Sequence, residues 1–178
     1  MTARPIRLVL FDVDGVLTDG SLIYGRDGEE LKSFNARDGV GIALLHAHGV
    51  ETGVLSAKRS EALQARIRDL RMSVSLIGVS DKLSALRPLL TELGLAPDEV
   101  AFVGDDVLDL AAGNHVGLFL APADAHELVR DAAKVLAATG GTGVARAAAE
   151  YILVHNNGIE RDHLYRRLLG ENGERIVQ

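Results

Sequence analysis

Short apolar runs alternate with segments of helical periodicity along most of this chain. Ile6 to Phe11 is almost continuously apolar, the signature of a strand buried on both faces. Val40 to His48 reads as a helix with Ile42 and Leu45 facing inward, and Glu51 to Leu55 as a second strand. Ser60 to Leu70 is amphipathic, with Leu63, Ile67 and Leu70 at helical spacing and Arg66 and Arg68 elsewhere on the wheel. Val74 to Ile77 is a short strand, and Lys82 to Leu93 a helix closed by Gly94. Val100 to Val103 and Gly117 to Leu120 read as strands, and His126 to Ala132 as a helix. The run Gly140-Gly141-Thr142-Gly143 is a loop, and Val144 to Leu153 a last core helix. This alternation predicts an α/β chain: a Rossmann-like, three-layer α/β/α arrangement around a parallel sheet.

One segment breaks the alternation. Leu22-Ile23-Tyr24 and Leu31-Lys32-Ser33-Phe34 are short extended runs flanking Arg26-Asp27-Gly28, and Asp-Gly is a strong hairpin signal. A β-hairpin flap over about residues 18–35 is expected directly after the first strand, with no room elsewhere for a separate cap domain. The expected organisation is a single domain over residues 1–178, with a charged tail over about 158–178.

Composition narrows the class. The 178 residues suit one domain with a sizeable core. A net charge of −6 argues against a nucleic-acid surface, which needs a basic stripe. No segment approaches the length of a membrane span. The absence of cysteine removes disulfides, thiolate metal sites and cysteine nucleophiles. The apolar run behind Arg4 and Arg7 stops at Asp12, too early for a signal-peptide core. A cytoplasmic protein is the expectation.

The chemistry sits where strands end. In a parallel α/β sheet, ligands bind beyond the carboxyl ends of the strands. The first strand ends in Asp12 and Asp14, two carboxylates one residue apart. The second ends in Ser56-Ala57-Lys58-Arg59, Lys82 precedes a helix, and the strand over 100–103 is followed by Asp105, Asp106 and Asp109. Such a density of carboxylates needs a cation, and hard oxygen donors beside a hydroxyl and a lysine fit Mg²⁺ and phosphate.

The ordered set resembles the haloacid-dehalogenase-like phosphatase superfamily. Its first motif stands as Asp12-Val13-Asp14-Gly15-Val16, its hydroxyl as Ser56, its lysine as Lys82 and its acidic motif as Gly104-Asp105-Asp106-Val107-Leu108-Asp109. Thr18-Asp19-Gly20, the run Phe34-Asn35-Ala36-Arg37-Asp38-Gly39-Val40-Gly41-Ile42 and Gly140 to Arg146 are similar to the capless subgroup that dephosphorylates sugar acids. The resemblance implies a Mg²⁺-dependent phosphatase of 3-deoxy-D-manno-octulosonate 8-phosphate, which would place it in lipopolysaccharide synthesis. A sialic-acid-type nonulosonate 9-phosphate is the alternative substrate. It also implies a homotetramer in which a neighbour supplies the missing cap.

The same resemblance assigns roles. Asp12 would be the nucleophile and Asp14 the general acid, then base. Asp12, Asp14 (through its backbone carbonyl) and Asp105 would hold the metal, with Asp106 and Asp109 behind them. Ser56 would donate to a phosphoryl oxygen, and Lys82 would neutralise charge developing on it. Asn35, Arg37, Asp38 and Gly39 are family positions for holding substrate, and Lys58 and Arg66 are candidates for the sugar carboxylate. Four positions depart from the subgroup, of which Ser56 for a threonine keeps the hydroxyl. Ala57 replaces a glycine, Lys58 an arginine that could grip a carboxylate bidentately, and Ala43 an arginine.

Blander readings stand beside these. Ser56 alone could be a helix N-cap, Asp109 could serve a helix dipole, and Arg66 could face solvent. His46 and His48 sit two apart on a helix and point to different faces, so a structural role is expected of them. Two other classes compete. A phosphoacceptor signalling module would carry its aspartate after the third strand, where the first candidate is Asp81. An inactive regulatory relative would explain Ala43, Ala57 and Lys58.

Overall fold

The computed structural model describes residues 4–26 and 28–170. Its centre is a parallel six-stranded sheet in the order β5-β4-β1-β6-β7-β8, built from β1 (Leu8–Phe11), β4 (Glu51–Ser56), β5 (Val74–Ile77), β6 (Val100–Val103), β7 (Leu118–Ala121) and β8 (Lys134–Val135). The alternation of apolar runs and helical patterns does produce the α/β architecture. β8 carries too short a pattern to be read from sequence.

Side chains on β1 and β6 alternate between two cores, as strand geometry requires. Val9, Phe11, Ala101 and Val103 face a core shared with α1 (Ala36–Ala47), α2 (Glu61–Asp69) and α6 (Val144–His155). Leu8, Leu10, Val100 and Phe102 face a second core under α3 (Lys82–Leu93), α4 (Leu110–Gly113) and α5 (Glu127–Ala132). Both faces of the sheet are covered, which is why Leu8–Phe11 is apolar at every position.

Helix starts follow caps more than hydrophobicity. α1 begins at Ala36, four residues before the expected Val40, because Asn35 accepts a hydrogen bond from the Arg37 N–H at 2.9 Å. Ser60, not Ser56, caps α2. Asp81 caps α3, which Gly94 closes at φ 62°. α6 runs two residues beyond the expected Leu153. β7 starts one residue later than expected, because Gly117 is held against the Pro97–Asp98 turn, its N–H donating to Pro97 at 2.7 Å.

The flap forms from β2 (Ile23–Gly25) and β3 (Gly28–Leu31), paired antiparallel. Its second strand lies earlier than the expected Leu31 to Phe34. Lys32 to Phe34 leave the ladder because this stretch turns into the core and the start of α1, where Phe34 packs on the first core. Asp27 and residues 171–178 of the expected tail lie outside the described residues.

α1 and α6 pack at very close range. A Cβ on Gly41 would stand 2.4 Å from Arg146 Cα, so only glycine allows this approach. Asp38, in the first turn of α1, accepts from the Ala145 N–H at 2.9 Å and so fixes the start of α6.

Candidate active site

β4, β1 and β6 lie side by side at the middle of the sheet, and their carboxyl ends deliver Ser56, Asp12 and Asp105 to one edge. Asp12 is locked to β6 through its N–H, which donates to Val103 at 2.8 Å. Beyond Asp14 the chain turns tightly, with the N–H groups of Val16, Leu17 and Thr18 all directed at the Val13 carbonyl. Gly15 makes this turn at φ +85°. A Cβ there would lie 2.0 Å from Asp105 Oδ2, so the turn and the acidic loop touch.

Asp109 organises that acidic loop. It is fully buried; its Oδ2 accepts from the N–H groups of Asp105 at 2.9 Å and Asp106 at 3.2 Å. Its Oδ1 accepts from Lys82 Nζ at 2.5 Å, and the same ammonium lies 2.9 Å from Asp12 Oδ1. Lys82 thus ties the first strand to the acidic motif from below. Asp106, exposed, caps the short 3-10 turn over Val107–Asp109.

Carboxylate oxygens of Asp12, Asp105 and Asp109 lie within 4.8 Å of one another. Burial lifts Asp105 to about 7, reinforced by repulsion from Asp12, Asp109 and Asp106 and opposed by Lys82. Burial likewise lifts Asp12 to about 6, with Lys82 pulling it down and Asp109 pushing it up. For Lys82, burial acts downward, but the ion pairs with Asp12 and Asp109 leave it raised overall. One lysine does not balance this charge.

The donors fit a hard divalent cation. Asp105 Oδ1 is buried with no hydrogen-bond partner among the described residues, and such an atom calls for a ligand. Asp109 is already saturated by Lys82 and two N–H groups, which leaves Asp12 and Asp105 as the open carboxylates of the group. Asp14 lies outside that group and borders a cleft of about 310 Å³ with Gly15, Asp105, Asp106 and Asp124.

The remaining expected residues are placed unevenly around this centre. Ser56 is buried at the end of β4, and its Oγ accepts from the Lys58 N–H at 3.3 Å, leaving its O–H free to donate. Asn35 is spent locally: it caps α1 and donates from Nδ2 to the Gly141 carbonyl at 3.0 Å. Asp38 points inward as the anchor of α6, with burial raising it to about 6 against the Ala145 hydrogen bond and the Arg66 charge. Arg66 is half-buried and turned onto the flap base. Its Nη2 donates to the Asn35 carbonyl at 3.1 Å, and its guanidinium lies over the Phe34 ring. Gly39 faces Leu70 and Arg66, and a Cβ there would touch both. Arg37 is exposed, Lys58 is half-buried, and neither is in an ion pair among the described residues. Ala43 is half-buried on α1, and Ala57 is exposed beside Ser56.

Two neighbours of the site escape a sequence reading. Lys32, on the flap, donates to Asp14 Oδ1 at 2.5 Å. Asp124 accepts from the Gly140 N–H at 2.9 Å and draws the glycine loop to the cleft. A lysine next to an extended run was the one available signal for Lys32; nothing in the pattern marks Asp124. Asp81 is exposed, and its carboxylate is engaged with Ser84 at the start of α3. His46 and His48 are structural, bonded to Thr52 Oγ1 at 2.7 Å and to the Leu164 carbonyl at 2.9 Å.

No protein-family model matches the chain. It is 40% identical over 159 residues to the 3-deoxy-D-manno-octulosonate 8-phosphate phosphatase KdsC of Yersinia pestis, covering 89% of this chain and 85% of that protein. It also superposes on the cobalt-bound deoxy-D-mannose-octulosonate 8-phosphate phosphatase of Haemophilus influenzae, at a TM-score of 0.82 and 39% identity, over 85% of this chain and 90% of that one. The 3-deoxy-D-manno-octulosonate 8-phosphate phosphatase of Moraxella catarrhalis, solved with magnesium, phosphate and the sugar acid, matches at a TM-score of 0.83 and 34% identity, over 90% and 91% of the two chains.

Proposed function

The chain belongs to the family of 3-deoxy-D-manno-octulosonate 8-phosphate phosphatases, within the haloacid-dehalogenase-like superfamily, and we propose that it hydrolyses the phosphate monoester of that eight-carbon sugar acid. The observation that carries the reading is the junction of Asp12 and Asp105, at adjacent strand ends, with Lys82 at the start of α3, and one buried Asp105 oxygen left unpartnered.

Asp12 is the nucleophile. Its carboxylate attacks phosphorus, forming an aspartyl-phosphate as the bond to the sugar oxygen breaks. Asp14, facing the cleft, gives its proton to the departing sugar oxygen. The resulting carboxylate then takes a proton from the water that cleaves the aspartyl-phosphate. Lys82 holds Asp12 in line, and the Ser56 O–H donates to a phosphoryl oxygen. Asp12, Asp105 and the Asp14 backbone carbonyl would hold Mg²⁺, which supplies charge neutralisation for the phosphoryl group. Arg37 and Lys58 are the cations left for the sugar carboxylate. Asn35, Asp38, Gly39 and Arg66 shape the flap base and the α1–α6 contact around it.

The reading extends to assembly and location. Leu22, Ile23, Tyr24 and Leu31 leave an apolar flap surface exposed, Tyr24 by 65%. In this reading a homotetramer covers these flaps with neighbouring subunits, which cap the site. Sedimentation at micromolar concentration tests it. A cytoplasmic location goes with the same reading.

The deciding experiment is phosphate release with Mg²⁺ from the octulosonate 8-phosphate, a sialic-acid-type 9-phosphate and simple sugar phosphates. Preference for the first supports the proposal. Preference for the nine-carbon ester means that Ala43, Ala57 and Lys58 mark a changed pocket. Silence on all of them overturns it.

A further inference from the structure

The reaction outlined above leaves one close contact without a role, the pair between flap residue Lys32 and the acid Asp14. The geometry points to Lys32 as the positioning residue of the general acid: by holding one Asp14 carboxyl oxygen, it aims the other at the leaving-group oxygen. This inference rests on the proposed phosphatase reading and deepens it.

The placement carries the argument. Lys32 Nζ donates to Asp14 Oδ1 at 2.5 Å across 18 positions of sequence. The Lys32 side chain is only 1% exposed, whereas Asp14 keeps 21% and borders the cleft. The lysine therefore reaches the carboxyl from its solvent-shielded side. An ammonium buried to this degree is costly unless it is paired, and Asp14 is one of its partners. The contact is a charge pair when Asp14 is a carboxylate, and a hydrogen bond to the oxygen without the proton when it is the acid. A lysine that meets substrate directly would keep some exposed surface; this one is shut from solvent and touches a residue that keeps 21%.

The flap position explains why the lysine lies there. β3 ends at Leu31, and the chain then leaves the ladder, carrying Lys32 down toward the first strand. Asn35, three residues on, is fastened to Gly141, and Arg66 is fastened to Asn35. The base of the flap is thus fixed to the core on one side, and Lys32 fixes it to the acid on the other. A flap displaced from the core would release the Asp14 carboxyl into alternative rotamers.

In the step concerned, the Asp12–phosphorus bond forms, the phosphorus–oxygen bond to the alcohol breaks, and the Asp14 proton moves to that oxygen. Lys32 exchanges no proton in it. An alcohol leaving group needs that proton. A nitrophenolate leaves without it.

The test compares kcat/KM for the sugar-acid phosphate and for p-nitrophenyl phosphate in the wild-type protein, Lys32→Met and Lys32→Arg. Loss of an aimed acid is expected to lower the ratio of alkyl to aryl activity by about 10²-fold in Lys32→Met, in the range of general acid catalysis. The nitrophenyl ester is expected to change by less than about 3-fold, well below what loss of a proton donor costs. Lys32→Arg, which keeps a donor at a different reach, is expected to fall between. Equal losses on both esters, or an unchanged ratio, would overturn the inference while leaving the phosphatase reading intact. A wild-type protein silent on both esters would overturn both. Should Lys32→Met fail to fold, Lys32→Gln reads the same ratio.

Discussion

Lys82 and Asp109 are 27 positions apart in sequence and 2.5 Å apart in the fold, with Asp12 on the other side of the same ammonium. Removing the lysine leaves two buried carboxylates facing each other. Lys82→Met is expected to cost about 3–5 kcal/mol of stability in metal-free protein, the usual penalty for breaking a buried ion pair from one side. Turnover should fall by at least ~10²-fold, since the ammonium proposed to hold Asp12 in line is lost as well. Urea denaturation and phosphate release measure the two effects separately. A variant as stable as wild type would show that this ammonium is not what holds the loop.

Asp12→Asn keeps the size of the side chain and an oxygen that accepts from Lys82, but it cannot attack phosphorus. Turnover is expected to drop by ~10⁴-fold or more, as when other covalent nucleophiles are removed, with little change in thermal midpoint. Retained turnover would exclude an aspartyl-phosphate on this residue.

Acidity ties the metal to stability. Asp105 at about 7, Asp12 at about 6 and Asp38 at about 6 all stand above their ordinary value of 3.8. Between 3.8 and these values the folded chain binds more protons than the unfolded one. Stability from these groups is therefore fully present below 3.8 and lost as pH rises to about 7. His46, lowered by burial, acts in the opposite direction but with a single proton. Metal-free protein is expected to melt at lower temperature at pH 8 than at pH 5. Magnesium should reverse this, binding more tightly at pH 8 and releasing protons as it binds. Melting curves with chelator and with Mg²⁺ at both pH values check the sign; a metal-free protein that gains stability toward pH 8 would contradict it.

The sheet was legible because its strands are buried on both faces, so Leu8–Phe11 and Val100–Val103 announce themselves as unbroken apolar runs. The strand-end carboxylates were legible for the same reason, as abrupt charges after such runs. The start of α1 was not, since the Asn35 cap and the polar first turn carry no apolar periodicity. Nor was the fate of Asp38, whose partner is the Ala145 N–H, 107 positions away. Lys32 meets Asp14 only because the flap ladder ends one residue earlier, a register that sequence spacing does not encode.

That distinction makes Asp38 a separate case among the expected substrate contacts. Its Oδ1 holds the first turn of α6 and its Oδ2 has no partner among the described residues. Asp38→Ala is expected to cost about 1–2 kcal/mol, as the loss of a helix cap does, and to raise KM less than about 3-fold once the protein is folded, because a cap acts on stability. A large KM effect with no loss of stability would place the carboxyl on the substrate instead.

Two glycines allow metal binding and stability to be separated. At Gly15 a methyl group would meet Asp105 Oδ2 at 2.0 Å, and the backbone sits at φ +85°. Gly15→Ala must therefore displace either the turn or the carboxylate that carries the unpartnered oxygen. At Gly41 the methyl would meet the Arg146 backbone at 2.4 Å, and its nearest neighbours belong to Arg146 and Ala145 of α6. Replacing a helical glycine by alanine ordinarily gains about 1 kcal/mol, but here overpacking against a helix backbone costs about 1–3 kcal/mol and outweighs it. Gly41→Ala is expected to lower the melting temperature in chelator while leaving Mg²⁺ affinity within about 3-fold of wild type, since the strain it adds is one of packing. Gly15→Ala is expected to weaken Mg²⁺ by ~10-fold or more, the scale on which disturbing a ligand's support acts. Titration calorimetry with Mg²⁺, beside melting curves in chelator, reads both. Equal Mg²⁺ affinity in the two variants would mean that Asp105 does not need the Gly15 turn to hold its position.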